Sequence, residues 1–96
     1  MKIVQLKLFV LVFKNRSFSK ASEEYGLTQP TISDHIKKLE KELGCNLFDR
    51  LGRSIIPTKE AEQLYPHALD IIQKTANMQN LKLQGFLGLP MLLSRQ

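Results

Sequence analysis

Apolar residues run almost unbroken from Ile3 to Phe13, with Gln5 and Lys7 as the polar interruptions. Leu6, Phe9, Val10 and Phe13 recur at spacings of three and four, which is one face of a helix. Val4, Leu8, Leu11 and Val12 fall on other faces. A helix that is apolar on more than one side needs cover on more than one side. The expected second cover is a distant helix or a second subunit. Asn15-Arg16-Ser17 breaks the pattern with turn-favouring residues. A short helix is expected over residues 19–25, with Ser19 as its N-cap and Gly26 as its C-terminal stop.

The segment Gln29 to about Leu43 has the clearest wheel. At about 100° per residue, Ile32, Ile36, Leu39 and Leu43 fall in a stripe roughly 60° wide. Pro30, Ser33, Asp34, Lys37 and Lys41 cluster opposite them. Thr28 suits the N-cap, Pro30 sits in the first turn where its missing N–H costs nothing, and Gly44 ends the helix. A short helix, a glycine-containing turn and a second amphipathic helix make the outline of a helix-turn-helix, whose second helix enters the DNA major groove.

Residues 45–57 change period. Two short extended pieces around Gly52 predict a small hairpin, and Pro57 disfavours further pairing at its end. A basic hairpin directly after a recognition helix reads as a wing, with Arg50 and Arg53 as its DNA contacts. Thr58 then caps a long helix with Glu60 and Glu62 in its first turn, where carboxylates suit the helix dipole. Ala61, Leu64, Ala68, Ile71, Thr75 and Met78 recur in steps of three and four, and Tyr65, Leu69, Ile72 and Ala76 form a second row. Pro66 predicts a slight bend. About 25 residues of helix span roughly 37 Å, more than a small head can cover, so a coiled-coil-like seam with a second copy is expected. Residues 85–96 show no clear helical pattern.

Composition narrows the function. Ninety-six residues are one domain's worth of chain, able to bury about 60–65% of its unfolded surface. That excludes large catalytic architectures. The formal charge is +5 and the pI is near 9.6, which favours polyanionic partners. Residues 1–60 hold eleven Lys and Arg against seven Asp and Glu, a net of +4, so most of the excess lies with the proposed recognition helix and wing. The apolar start reads as a buried helix rather than a signal sequence. Lys7 interrupts it and Lys14-Asn15-Arg16 follows where small neutral residues belong, and it is shorter than the ~20 residues that span a bilayer. No membrane partner is expected, and a cytoplasmic setting is. Cys45 has no intrachain partner, and its default role is a small buried filler. His35 and His67 read as structural or solvated rather than as metal ligands. No nucleophile–base pair, metal set or phosphate loop is visible, so neither an enzyme nor a cofactor is expected.

Taken together, Leu6-x-x-Phe9, Ser17-Phe18-Ser19-x-Ala21, Thr28-Gln29-Pro30-Thr31-Ile32-Ser33 and Ile36-x-x-Leu39-Glu40-x-x-Leu43-Gly44 carry a resemblance. Leu47-Phe48-x-Arg50-x-x-Arg53, Pro57-Thr58-x-x-Ala61 and Tyr65-Pro66-His67-Ala68 complete it. From residue 3 to about residue 84 the chain resembles the N-terminal DNA-binding region of LysR-type transcriptional regulators. The resemblance implies a mainly α fold: a winged helix-turn-helix of three helices and a short β-hairpin wing over residues 1–57, then a linker helix over 58–84 that dimerises. Residues 85–96 remain a tail without an assigned structure. The family's large effector-binding domain is expected to lie outside this chain, and no co-inducer is expected to bind here. Two positions depart from the family pattern. Asp34 stands where Arg or Lys is common, and Glu62 where glycine is.

The expected DNA-binding residues are Gln29, Pro30, Thr31, Ser33, Asp34, Lys37, Arg50, Arg53, Ser17 and Ser19. Gln29 can bond adenine N6 and N7 in a bidentate way. Thr31 and Ser33 can reach bases or phosphates, Lys37 suits phosphate, and Lys41 lies far along the helix. Asp34 can accept a bond from cytosine N4 or pair with Lys37, Lys38 or Lys41. Arg50 has a rival role in an ion pair with Asp49 or Glu42. Ser17 and Ser19 can offer hydroxyls to phosphate, and Ser19 can equally serve as a cap. The expected dimerisation residues are Leu64, Ala68, Ile71, Ile72, Thr75 and Met78. Two functions fit: sequence-specific binding of promoter DNA by a homodimer, or a dimerisation module that forms mixed dimers with a full-length regulator.

Overall fold

A computed structural model describes the backbone of residues 1–52 and 54–87 and the side chains up to Met78, Arg53 apart. Its elements are α1 (Ile3–Asn15), α2 (Phe18–Tyr25), α3 (Gln29–Leu43), β1 (Phe48–Leu51), β2 (Ser54–Pro57) and α4 (Lys59–Leu87). The arrangement is a mainly helical winged helix-turn-helix followed by a long helix. Arg53 and residues 88–96, most of the expected tail, lie outside the described residues. α4 runs to Leu87, past the point where the sequence pattern fades. Among the described residues, no helix is long and apolar enough to cross a membrane.

Local signals set the helix ends. The Thr28 hydroxyl accepts from the Thr31 N–H at the start of α3, and that of Thr58 accepts from the Ala61 N–H at 3.1 Å at the start of α4. Gly26 and Gly44 close α2 and α3 in the left-handed region, at φ 81° and 74°. α1 ends in the same conformation, but on Arg16, at φ 52°. The cap of α2 differs from the sequence expectation. Ser17 is the N-cap, its Oγ accepting the Lys20 N–H at 3.1 Å, and the helix begins at Phe18. Ser19 lies in the first turn and is exposed. Burial decides this: starting one residue earlier places Phe18 and Ala21 together in the core.

The core forms around α1, which packs against α2, α3 and α4. Leu8, Phe9 and Val12 of α1 are fully buried with Ile32 and Leu39 of α3 and Leu47 before the wing. Each such side chain contributes about 1.5–3 kcal/mol of transfer free energy. The many-sided apolar character of α1 is thus met by other helices of the same chain. Aromatic rings link the layers. Phe13 stacks on Tyr65 of α4 with centroids 4.1 Å apart. Phe9 lies 5.6 Å from Phe48 of β1, and Phe48 meets Phe18 of α2 edge-on at 6.3 Å.

β1 and β2 pair antiparallel in the register Phe48↔Pro57, Asp49↔Ile56, Arg50↔Ile55 and Leu51↔Ser54. Gly52 turns the hairpin at φ 61°. Because side chains alternate across a strand, Phe48, Arg50, Ile55 and Pro57 share one face. On it Phe48 and Ile55 pack on the core, while Asp49, Leu51, Ser54 and Ile56 are exposed on the other.

The apolar stripe of α4 divides along its length. Ala61 and Ala68 are fully buried, and Leu64, Tyr65 and Ile72 pack against the core from its edge. Ala68, expected on an exposed dimer seam, is therefore a contact with the head of its own chain. Leu64 and Ile72 are largely taken up in the same way. Farther along, Leu69, Ile71 and Met78 are 41%, 43% and 69% exposed. The head covers the first turns of α4, and the stripe continues beyond it.

Candidate nucleic-acid interface

Three elements meet at an open cleft of about 850 Å³. The start of α2 supplies Ser17, Phe18 and Ser19; the start of α3 supplies Thr28, Gln29, Pro30 and Ser33; and the wing supplies Arg50, Gly52 and Ser54. The helix-turn-helix brings the two helix N-termini side by side, and the hairpin closes the third side. Gln29, Pro30 and Thr31 are exposed on the first turn of α3, and Ser33 is half-buried. The Thr28 and Thr31 hydroxyls lie 2.8 Å apart, which fixes both side chains at the tip. Ser22 sits deeper, its hydroxyl donating to the Leu27 carbonyl and stiffening the turn.

Six of the expected DNA-binding residues line this cleft: Ser17, Ser19, Gln29, Pro30, Ser33 and Arg50. Thr31, Asp34 and Lys37 are exposed on α3 but do not line it. Lys37 instead borders a smaller hollow with Glu40, Lys41, Cys45 and Asn46. Arg53 lies outside the described residues. Asp34 pairs with Lys38 at 3.1 Å, one turn along the helix, and both are well exposed. That contact contributes about 0.3–0.5 kcal/mol. Neither ion pair considered for Arg50 occurs. Its guanidinium lies over the Phe18 ring, 5.0 Å from the centroid, and Glu42 receives the Met1 ammonium. Phe18 is fixed by the core, so it holds Arg50 at the cleft wall while the charge stays in water.

Glu40 holds the wing to α3. Its carboxylate accepts the N–H of Leu47 at 2.7 Å and of Phe48 at 3.4 Å, and the Thr58 hydroxyl donates to the Asn46 carbonyl at 2.7 Å. Among α3 residues with a bearing on the site, Glu40 was legible as part of a motif but not in this role, because its partners are backbone groups seven and eight residues away. Arg16, Thr28, Ser22 and Ser54 also line the cleft without having been singled out as contacts. Three of these four carry hydroxyls, spread over α2, the turn before α3 and the wing, and Arg16 carries a guanidinium. His35 is half-buried, with its Nδ1 buried and without a hydrogen-bond partner among the described residues. Cys45 is half-buried rather than fully enclosed.

The model of the bacterial regulatory helix-turn-helix proteins of the lysR family matches residues 3–62, more than half of the chain. The chain belongs to the LysR family. The transcriptional regulator CitR of Bacillus subtilis is 43% identical over 72 residues, which cover 75% of this LysR-family chain and 25% of CitR. The chain thus spans about a quarter of that curated relative. Among solved structures, the BenM DNA-binding domain in complex with catB site 1 DNA superposes with a TM-score of 0.82 at 31% identity, over 88% of this chain and 94% of that one. The CbnR DNA-binding domain in complex with DNA gives 0.83 at 25% identity, over 88% and 98%. These relatives are DNA-binding regulators and not enzymes, and this LysR-family fold is theirs.

Proposed function

We propose that this chain binds duplex promoter DNA sequence-specifically as a homodimer. The N-terminal end of α3 enters the major groove with Gln29, Pro30, Thr31 and Ser33 nearest the base edges. The wing rests on the neighbouring backbone or minor groove through Arg50 and Arg53, and Ser17 and Ser19 meet phosphate at the start of α2. The observation that carries the reading is the convergence of these three elements on one open cleft lined by hydroxyls, an amide and guanidinium groups. The DNA complexes of the BenM and CbnR domains support it by likeness.

The residues divide by role. The Gln29 amide matches the N6 and N7 edge of adenine, and Asp34 reads cytosine N4 once it releases Lys38. Lys37 neutralises phosphate. Selection of bound duplexes from random sequence tests the assignment. Gln29→Ala relaxes the preference at one base pair by about 1–3 kcal/mol, while Lys37→Ala weakens all sequences alike. Unchanged affinity and preference in both variants would reject the placement of α3.

Pairing of two copies runs through Ile71, Thr75 and Met78, which continue the stripe of α4 beyond the head. The uncovered Ile71 and Met78 also favour a second reading, in which the chain acts by forming mixed dimers with a full-length regulator. In that case Ile71→Asp abolishes activity and Gln29→Ala does not.

A further inference from the structure

Three helices of the head end on a left-handed residue, two of them on glycine and α1 on Arg16. Arg16 is the sole non-glycine residue with positive φ among those described. A side chain at that conformation is disfavoured over glycine, so an arginine there points to a use for its head group. Its Nε–H donates to the Phe13 carbonyl at 2.9 Å, and the guanidinium lies over the Phe13 ring, 5.3 Å from the centroid. These two contacts hold the group while leaving its terminal nitrogens without a carboxylate among the described residues. The side chain is exposed and lines the same cleft as Ser17, Gln29 and Arg50. Arg50 is tethered in the same manner over Phe18. Two guanidiniums, each seated on a ring, therefore border one cleft.

We infer that Arg16 is a DNA-backbone contact, its guanidinium donating to a phosphodiester of the strand that crosses the start of α2 while Arg50 engages the backbone from the wing. This rests on the proposed DNA-binding function and adds a contact outside the recognition helix. The ring and the Phe13 carbonyl set the planar donor fork in advance, so little side-chain freedom is lost when phosphate arrives. The contact carries no base information, since phosphates are the same at every step.

The test compares the wild-type chain, Arg16→Gly and Arg16→Lys on a fluorescently labelled mixed-sequence duplex across a salt titration. Arg16→Gly removes the charge and suits the left-handed backbone, so it raises the Tm. It also weakens DNA binding about fivefold at physiological salt, and the slope of log affinity on log salt becomes shallower by about 0.9. Arg16→Lys keeps the charge and most of the salt slope. An Arg16→Gly variant with wild-type affinity and slope would overturn the contact and leave DNA binding standing. A wild-type chain with no salt-dependent affinity for the duplex overturns the contact and the proposed function together.

Discussion

The Glu40 carboxylate accepts the Leu47 backbone N–H at 2.7 Å, joining the last turn of α3 to the approach of the wing. One side chain whose partners are backbone thus helps to hold the wing against α3. Glu40→Ala strands a donor at a fully buried residue, which costs about 1–3 kcal/mol. Denaturant unfolding measures this directly. Glu40→Gln keeps an acceptor oxygen and should lose less; equal losses in the two variants would show that the bond itself is not the source.

The stack of Phe13 on Tyr65 fastens α4 to the head. Tyr65→Ala and Phe13→Ala each destabilise the chain. Their double-mutant cycle should return a coupling of about 0.5–1.5 kcal/mol. Strict additivity would mean that the rings contribute area but no pairwise term.

Gly44 closes α3 at φ 74°, and a Cβ added there meets nothing within 4 Å. Gly44→Ala thus carries a backbone penalty with no clash, about 1–2 kcal/mol. Thermal unfolding should show the loss while the circular dichroism of the folded state stays the same. A neutral substitution would argue against the left-handed cap.

Along α4, Ala68→Asp and Ile71→Asp separate folding from association. Ala68 is enclosed by its own head and Ile71 is 43% exposed. An unpaired carboxylate at Ala68 should unfold the head or lower its stability by several kcal/mol. At Ile71 it should leave the Tm of the head near wild type and shift sedimentation toward a monomer. A dimer that survives Ile71→Asp would move the seam elsewhere.

Much of this was legible in the residues. The stripe Ile32, Ile36, Leu39 predicts α3 because a 3.6-residue period is a property of the chain alone, and these three are buried. Thr28, Gly26, Gly44 and Thr58 mark helix ends because caps act within a few residues. The hairpin about Gly52 follows from the same short range. Gln29, Pro30, Ser33 and Arg50 could be named as surface candidates, since polar residues opposite an apolar stripe have few other places to go.

Other features depended on which elements approach in space. Ala68 and Ile71 belong to one periodic stripe, and the wheel cannot say where the head stops covering it. Asp34 had three lysines within reach, and side-chain direction along the helix selected Lys38. Arg50 had two carboxylates nearby in sequence, yet its place is over Phe18, brought there by core packing of the wing on α2. Ser17 rather than Ser19 caps α2 because Phe18 is drawn into the core. Periodicity and capping, which act over one or two turns, determined the elements and their order. Burial and side-chain partnership act between segments far apart in the chain, so only the tertiary structure decided which face met which and what remained free to meet DNA.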